Sequence, residues 1–563
     1  MNQRLYLAVV AILSSLSLAA CTSLPTSSSP SPFDVDAPNA QPVDLAAGGP
    51  VVDADPESLL SSFLLACAAG ASDDYATARL FLTSSSAQTW DPHKLVTIYS
   101  TDSTPKVSYS FDPSKTGTLN ASITATGVGS VDQNGVLSPA ETSSLEARFH
   151  LVRENGQWRI DAPADGVVVS QASFTASHEL VSLMFLSATG DSLIADPRWY
   201  PTRRVETHML EGLIAGPQSH LSDALVNAIP SGTSISAGGI ELSDHVAKVS
   251  LNGTLPSDDR GKQLMAWEIS QTLQRSGRVN SVEINVGGEV LPSSGLPSQP
   301  SFDLDSAVAF NSNGLVRIDG RSVSTRILPI APSSSASLPA VSPVSSSLLA
   351  WREDDRLILV DSSTNATRVV DGSEGQYSPS IDRFGWVWDI PRGGNLRASR
   401  IDGQNLAIAS ENQSLNGVSA VRISPDGARA LLLRQVGGST SAWIAGIERR
   451  GSGEPIALTD PEPLAGLSTG VDDVSWAGRS TVVAVRQGGL RAGNDQVDEV
   501  SLVTVPVGGF PSVLALPTGT QRLSAGSSSA TMVIRGKDGN YQVRSGALWQ
   551  SLEGNLRDVN FPG

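Results

Sequence analysis

From residue 301 to residue 563 the chain carries no stretch patterned as a long helix, yet short β-rich runs keep returning. The runs cover 347–360, 380–389, 418–434, 471–486 and 523–535, spaced by roughly 35–55 residues, the period of a propeller blade. An isolated pair of such hairpins leaves its apolar faces in water, and radial stacking of blades buries them. At about 45 residues per blade the segment holds about six or seven blades. A pair of β-sandwiches is the other architecture such runs can build.

The sharpest unit is Val421-Arg422-Ile423-Ser424-Pro425-Asp426-Gly427. A strand enters, Ser-Pro-Asp-Gly turns it, and residues 430–433 return. The unit resembles those of TolB-type propellers, while 471–477 keeps only the apolar skeleton. Trp351, Trp386, Trp388, Trp443, Trp476 and Trp549 are spread through the segment. Packing between blades is the plain expectation for them, and a sugar-stacking surface is the alternative.

Residues 172–291 predict a second module. Runs 180–186 and 192–195 read as a hairpin around Ala188-Thr189-Gly190-Asp191. Val205, Met209 and Leu213 at i, i+4 and i+8 predict a helix over 202–215, stopped by Gly216-Pro217. Strands follow at 234–240 and 246–251, then a helix carrying Met265, Ile269 and Leu273, then a strand at 282–286 turned by Gly287-Gly288. The Gly-Pro stop, the step Ile229-Pro230-x-Gly232-Thr233 and the long helix before the last strand resemble a GerMN domain, which brings no assigned catalytic residues. A Pro/Ser linker at 291–300 precedes the propeller.

Residues 51–171 read as an α+β module. Asp55 and Pro56 announce a helix with Leu59, Leu60, Phe63, Leu64 and Cys67 on its apolar face. A second helix is expected over 73–82, burying Tyr75, Ala78 and Leu82. Alternation at 145–152 and the turn Asn155-Gly156 into Trp158-Arg159-Ile160 predict an antiparallel sheet. The whole resembles a nuclear-transport-factor-type cone. The expected fold class is therefore multidomain, two α+β modules and an all-β propeller.

Arg4 is the sole charge before Cys21, and residues 5–20 are apolar or Ser. This is a secretory leader over 1–20, too short for a firm membrane span. Leu18-Ala19-Ala20-Cys21 matches the bacterial lipobox. That resemblance implies cleavage between Ala20 and Cys21, a diacylglycerol thioether on Cys21, and acylation of the new amine. An ordinary leader with a chance Cys is the alternative. Residues 21–50 are a flexible Ser/Pro tether. Cys67, the other cysteine, is expected to be a core residue.

With 39 basic against 56 acidic residues the net charge is −17, which repels nucleic acid and anionic lipid. The two cysteines make no disulfide framework, and the six histidines are too scattered for a metal site by spacing. Gly466-Leu467-Ser468-Thr469-Gly470 has the nucleophile-elbow pattern, but no helix follows and no His lies beyond His245. Ser103-x-x-Lys106 holds Pro105 in a polar turn, where Lys106 is not desolvated. Asp132-x-Asn134-Gly135 opens like a calcium loop but lacks its length, Glu141 coming too early, and reads as a hairpin turn. The pairs Asp258-Asp259, Asp354-Asp355 and Asp472-Asp473 are expected in solvated loops rather than as glycosidase carboxylates. Lys262 and Lys537 follow Gly without a phosphate loop. His208 and His220 are twelve apart, not the four that suits one metal. No catalytic residue, cofactor or metal is expected.

The lipobox with Cys21-Thr22-Ser23-Leu24-Pro25, the tether, the GerMN-like module, the propeller and Asp196-Pro197-Arg198-Trp199-Tyr200-Pro201 together resemble the LpqB family of actinobacterial lipoproteins. The resemblance implies a non-enzymatic accessory of the MtrAB two-component system, bound to the outer face of the cell membrane through acylated Cys21 and contacting the extracytoplasmic domain of the sensor kinase MtrB. A lipoprotein that binds an envelope glycan, peptide or lipid is the second reading, and a hydrolase built on Ser468 the third.

Overall fold

The computed structural model describes residues 47–110, 117–140, 144–325, 328–373, 375–391, 395–410, 412, 415–487 and 500–563. The leader, Ala20, Cys21, Glu141 and all but the last residues of the tether lie outside the described residues.

Helix α1 spans Pro56–Ala69 and opens as its sequence dictates, with Asp55 Oδ1 accepting the Ser58 N–H at 2.9 Å. It buries Leu59, Leu60, Phe63 and Cys67 against a sheet ordered Gln157–Asp161, Ser144–Glu154, Thr118–Asp132, Leu95–Tyr99, Val167–Ser170. All neighbours are antiparallel except Leu95–Tyr99 with Val167–Ser170. The helix expected over 73–82 is replaced by a 3-10 turn, Gly70–Ser72, and one helical turn, Ala76–Arg79. Asp74 and Tyr75 take left-handed φ values of 55° and 58°, which no helix tolerates. The Tyr75 N–H donates to Gly70 O at 2.9 Å, and the Tyr75 ring lies where a Cβ on Gly70 would stand at 2.1 Å. Tyr75, Ala78 and Leu82 are nonetheless buried, as their pattern predicts.

The second module follows its predicted order. The hairpin His178–Ser187 with Leu193–Pro201 leads into α2, Val205–Ala215. Strands Val246–Asn252 and Ser281–Val286 are parallel, joined by the crossover helix α3, Asp259–Gln274. Val205, Met209 and Leu213 of α2 meet Met265, Ile269 and Leu273 of α3 in one core.

The third module is a six-bladed propeller among the described residues. Its innermost strands, Ala336–Val341, Ser380–Ile381, Val418–Ile423, Val471–Trp476, Thr520–Ala525 and Arg557–Asn560, touch in sequence around a closed ring. Arg557–Asn560 pairs with Ser306–Asn311, so the two ends of the segment complete one blade together. The five runs read from the sequence are the other five blades. Trp351, Trp386, Trp388 and Trp476 are at most 1% exposed and pack between blades, while Trp443 and Trp549 are half-buried.

One hexapeptide, Asp196–Pro201, touches all three modules. Asp196 and Arg198 form a buried ion pair at 2.8 Å, 0% and 3% exposed. Arg198 also donates to Asn134 O of the first module at 2.9 Å, and the Trp199 N–H donates to Gly135 O at 2.8 Å. Gly135 needs its positive φ of 80° for that turn, and a Cβ there would lie 2.7 Å from Trp199 O. Trp199 Nε1 donates to Gly508 O of the propeller at 2.8 Å, and its ring packs 5.0 Å from Phe174 and 5.2 Å from Phe510. Arg383 of the propeller pairs with Asp191 of the second module, and Arg429 donates to Ala195 O.

Candidate functional site

The junction encloses a cleft of about 840 Å³ between the first two modules, a size that suits a small-molecule or peptide ligand. The first module supplies the turn at 70–75, His93 and the hairpin at 131–135; the second supplies Trp199, Tyr200, Arg203, Arg204 and His208. Within the second module α2 lies close against Tyr200 because it carries Gly212, where a Cβ would stand 2.0 Å from the Tyr200 hydroxyl.

Three of the six histidines face this space: His93, His178 and His208. His93 Nε2 lies 2.9 Å from Asp74 Oδ1, with Tyr75 edge-on to its ring at 5.2 Å. His208 pairs with Glu211 at 3.2 Å and stacks on Tyr200 at 5.9 Å. His178 stacks on Phe174 at 4.4 Å, and burial pulls it down to about 4, so it is neutral at physiological pH. Burial also pushes the Tyr200 hydroxyl up to about 12. Asp73 accepts the Thr77 N–H through Oδ2 at 2.9 Å, and its Oδ1 is buried with no partner. Aromatic walls with a rim of imidazole, guanidinium and carboxylate groups can hold a polar ligand that has an apolar face. Among the described residues no three His, Cys, Asp or Glu side chains are grouped to share a metal ion. Sequence spacing gave no sign of the cleft, because its histidines come from three separate elements.

The other singled-out residues sit elsewhere. Ser468 is exposed on the loop between Glu462–Pro463 and Val471–Trp476, and Ser103 Oγ accepts the Thr126 N–H at 3.0 Å. Lys106 is exposed at a strand start. Asp132 Oδ1 accepts the N–H groups of Asn134 and Val136, both at 2.9 Å, closing the hairpin turn that meets Arg198. Asp258 is the N-cap of α3, Lys262 pairs with Glu289 at 2.6 Å, and Lys537 lies in a turn. His220 faces Glu462 of the propeller at 3.5 Å. Asp354 and Asp355 form an exposed hairpin turn. Asp473 departs from the expected solvated loop: it is 3% exposed and faces the propeller's central channel. The strand alternates its faces, so Asp472 turns outward to Gln487 while Asp473 turns inward. Burial raises the Asp473 carboxyl above the usual range, opposed by the guanidiniums of Arg422 and Arg522.

A propeller, a GerMN-like module and an α+β module locked through a shared hexapeptide define a multidomain binding scaffold. Family models for the "Lipoprotein LpqB, N-terminal domain" match residues 49–175, for "Sporulation and spore germination" 182–292, and for the "Lipoprotein LpqB beta-propeller domain" 313–562. The chain belongs to the LpqB family of lipoproteins. The Lipoprotein LpqB of Cutibacterium acnes is 32% identical over 301 residues, 52% of this chain and 47% of that relative. The Lipoprotein LpqB of Streptomyces coelicolor is 27% identical over 606 residues, 97% of this chain and 96% of that relative. Among solved structures, the tandem GerMN domains of the sporulation protein GerM from Bacillus subtilis align over 26% of this chain and 63% of theirs, at 15% identity and a TM-score of 0.18. No helix among the described residues is long and apolar enough to cross a membrane.

Proposed function

We propose that the chain is a lipid-anchored envelope protein that regulates the MtrAB two-component system by contacting the extracytoplasmic domain of the sensor kinase MtrB, and that it catalyses no reaction. Family membership supports the anchor, and the partner is what the family resemblance implies. The observation that carries the mode of action is the locked junction at Asp196–Pro201, which makes a cleft and a propeller parts of one body. Acylated Cys21 confines that body to the membrane of the sensor. Confinement raises the effective concentration, so a modest interface suffices. Bias of the signal then requires tighter binding to one state of the sensor than to the other. Ser468 lacks a base in its own loop and stands exposed, which supports the non-catalytic part of the reading.

The cleft of about 840 Å³ favours a second reading, an envelope glycan, peptide or lipid held between the first two modules. Crosslinking in native membranes separates the two. The expected result is capture of the MtrB extracytoplasmic domain by the wild-type chain, falling at least about tenfold for Cys21→Ser as the tethering term is lost. Absence of any kinase adduct, with purified cell-wall fragments raising the melting temperature, establishes the second reading instead.

A further inference from the structure

The second module is held by Arg383, in the turn after the innermost strand Ser380–Ile381, and by Arg429, the first residue of the strand Arg429–Val436 that returns from the turn after Val418–Ile423. At the other end of the channel, toward which those innermost strands begin, lies a pocket of about 100 Å³ lined by Tyr377, Arg422, Asp473, Arg522, Arg535 and Asn560. Its cations are crowded. Arg522 and Arg535 are direct cross-strand partners in the register of Thr520–Ala525 with Met532–Gly536, a placement in which like charges repel. Arg422 is 5% exposed and donates to Ser378 O at 2.7 Å. Arg522 lies over the Tyr377 ring at 4.1 Å. None of the three guanidiniums forms an ion pair among the described residues.

The nearby carboxylates are engaged elsewhere. Asp473 accepts the N–H groups of Leu523 and Val474, both at 3.0 Å, and Asp558 accepts the Leu338 N–H at 3.1 Å. Asn560 is 5% exposed; its Oδ1 accepts from Ser524 Oγ at 3.2 Å, and its Nδ2 is buried with no partner. A buried amide without a partner is destabilising, so a ligand acceptor completes this wall.

We propose that this mouth of the propeller binds a monoanionic carboxylate. Three guanidiniums against Asp473 and Asp558 leave one positive charge, which suits a monoanion and disfavours a dianion such as phosphate. Guanidinium forks match the planar carboxylate. The volume equals about three waters, room for a carboxylate with its α-carbon and a methyl group beside the rings of Tyr377 and Tyr541. Either a peptide C-terminus ending in a small residue or a free organic acid supplies that group. The proposal does not rest on the kinase reading.

Calorimetric titration of the full-length protein in detergent, with tri-alanine, tri-alanine amide, acetate and inorganic phosphate as probes, tests it. Binding of tri-alanine but not its amide supports the site and assigns it to peptide termini. Equal binding of acetate supports it and assigns it to free acids. Arg535→Gln is expected to weaken binding at least about tenfold, and Arg535→Lys less, because the charge stays and the fork is lost. Asn560→Ala, read beside an unchanged urea midpoint, keeps the test open should an Arg variant unfold; it is expected to weaken binding. No heat with any carboxylate, tighter binding of phosphate, or binding unchanged in all these variants overturns the proposal.

Discussion

Replacing Arg198 by Ala is expected to destabilise the chain by about 3 kcal/mol, the low end for breaking a buried ion pair. Asp196 is 0% exposed and takes two of its hydrogen bonds from Arg198 Nε and Nη2, at 3.2 and 2.8 Å. Without the guanidinium, the N–H of Gln218 at 2.9 Å and the Gln218 side-chain amide remain as its donors. They soften the cost of the stranded charge but do not neutralise it. The substitution also removes the donor to Asn134 O, so the first module loses one of its pins. Arg198→Lys keeps the charge and loses the fork, and its loss is expected to be smaller. Urea denaturation followed by tryptophan fluorescence reads both. An Arg198→Ala midpoint equal to that of the wild type would show that the pair is dispensable.

The second large effect is a pH dependence of unusual sign. Glu268 of α3 is fully buried; its Oε2 accepts the Ala228 N–H at 2.8 Å, and its Oε1 has no partner. Burial pushes its carboxyl from 4.5 up to about 8. Between those values the folded chain holds a proton that the unfolded chain has released, so stability falls as pH rises through this window. The full loss, reached above pH 8, is about 5 kcal/mol, of which about 4 kcal/mol is already present at pH 8. His178 acts in the opposite direction. Lowered from 6.5 to about 4, it loses stability as pH falls through that range. The two slopes therefore oppose each other from about pH 4.5 to 6.5, and above 6.5 the His178 contribution is complete while the decline due to Glu268 continues to about pH 8. Glu268→Gln keeps an acceptor for Ala228 and removes the titration. Its urea stability is expected to match the wild type within about 1 kcal/mol near pH 4.5 and to exceed it by about 4 kcal/mol at pH 8. Parallel curves for the two proteins across that range contradict the assignment.

Much of the fold is legible because it follows local periodicity. Val205, Met209 and Leu213 mark α2, Gly216 stops it, and five blades announce themselves through strand–turn–strand units. What escapes the sequence is what depends on distant chain. The blade made of Ser306–Asn311 and Arg557–Asn560 joins residues from both ends of the segment, so it has no local period. The break at Asp74 and Tyr75 follows from the Tyr75 ring settling over Gly70, which helix propensity does not contain. Asp473 looks like half of a solvated pair until strand alternation aims it into the channel. The cleft is the least legible feature, since His93, His178 and His208 converge only after two modules dock. The hexapeptide Asp196–Pro201 is visible in the sequence only as a family likeness. Its physical role, a polar and aromatic joint among three modules, needs the fold.

That joint is the central claim, and a distance measurement tests it most directly. Spin labels at Lys106→Cys in the first module and Leu548→Cys in the propeller, both exposed sites, report their separation in the full chain carrying Cys21→Ser. Cys67 is 2% exposed and its thiol is held protonated by burial, so it stays unlabelled. A single narrow distance distribution is expected, broadening when Trp199→Ala removes the shared ring and its hydrogen bond to Gly508. A broad distribution with Trp199 intact would mean that the modules move independently, and the account of one locked body would be wrong.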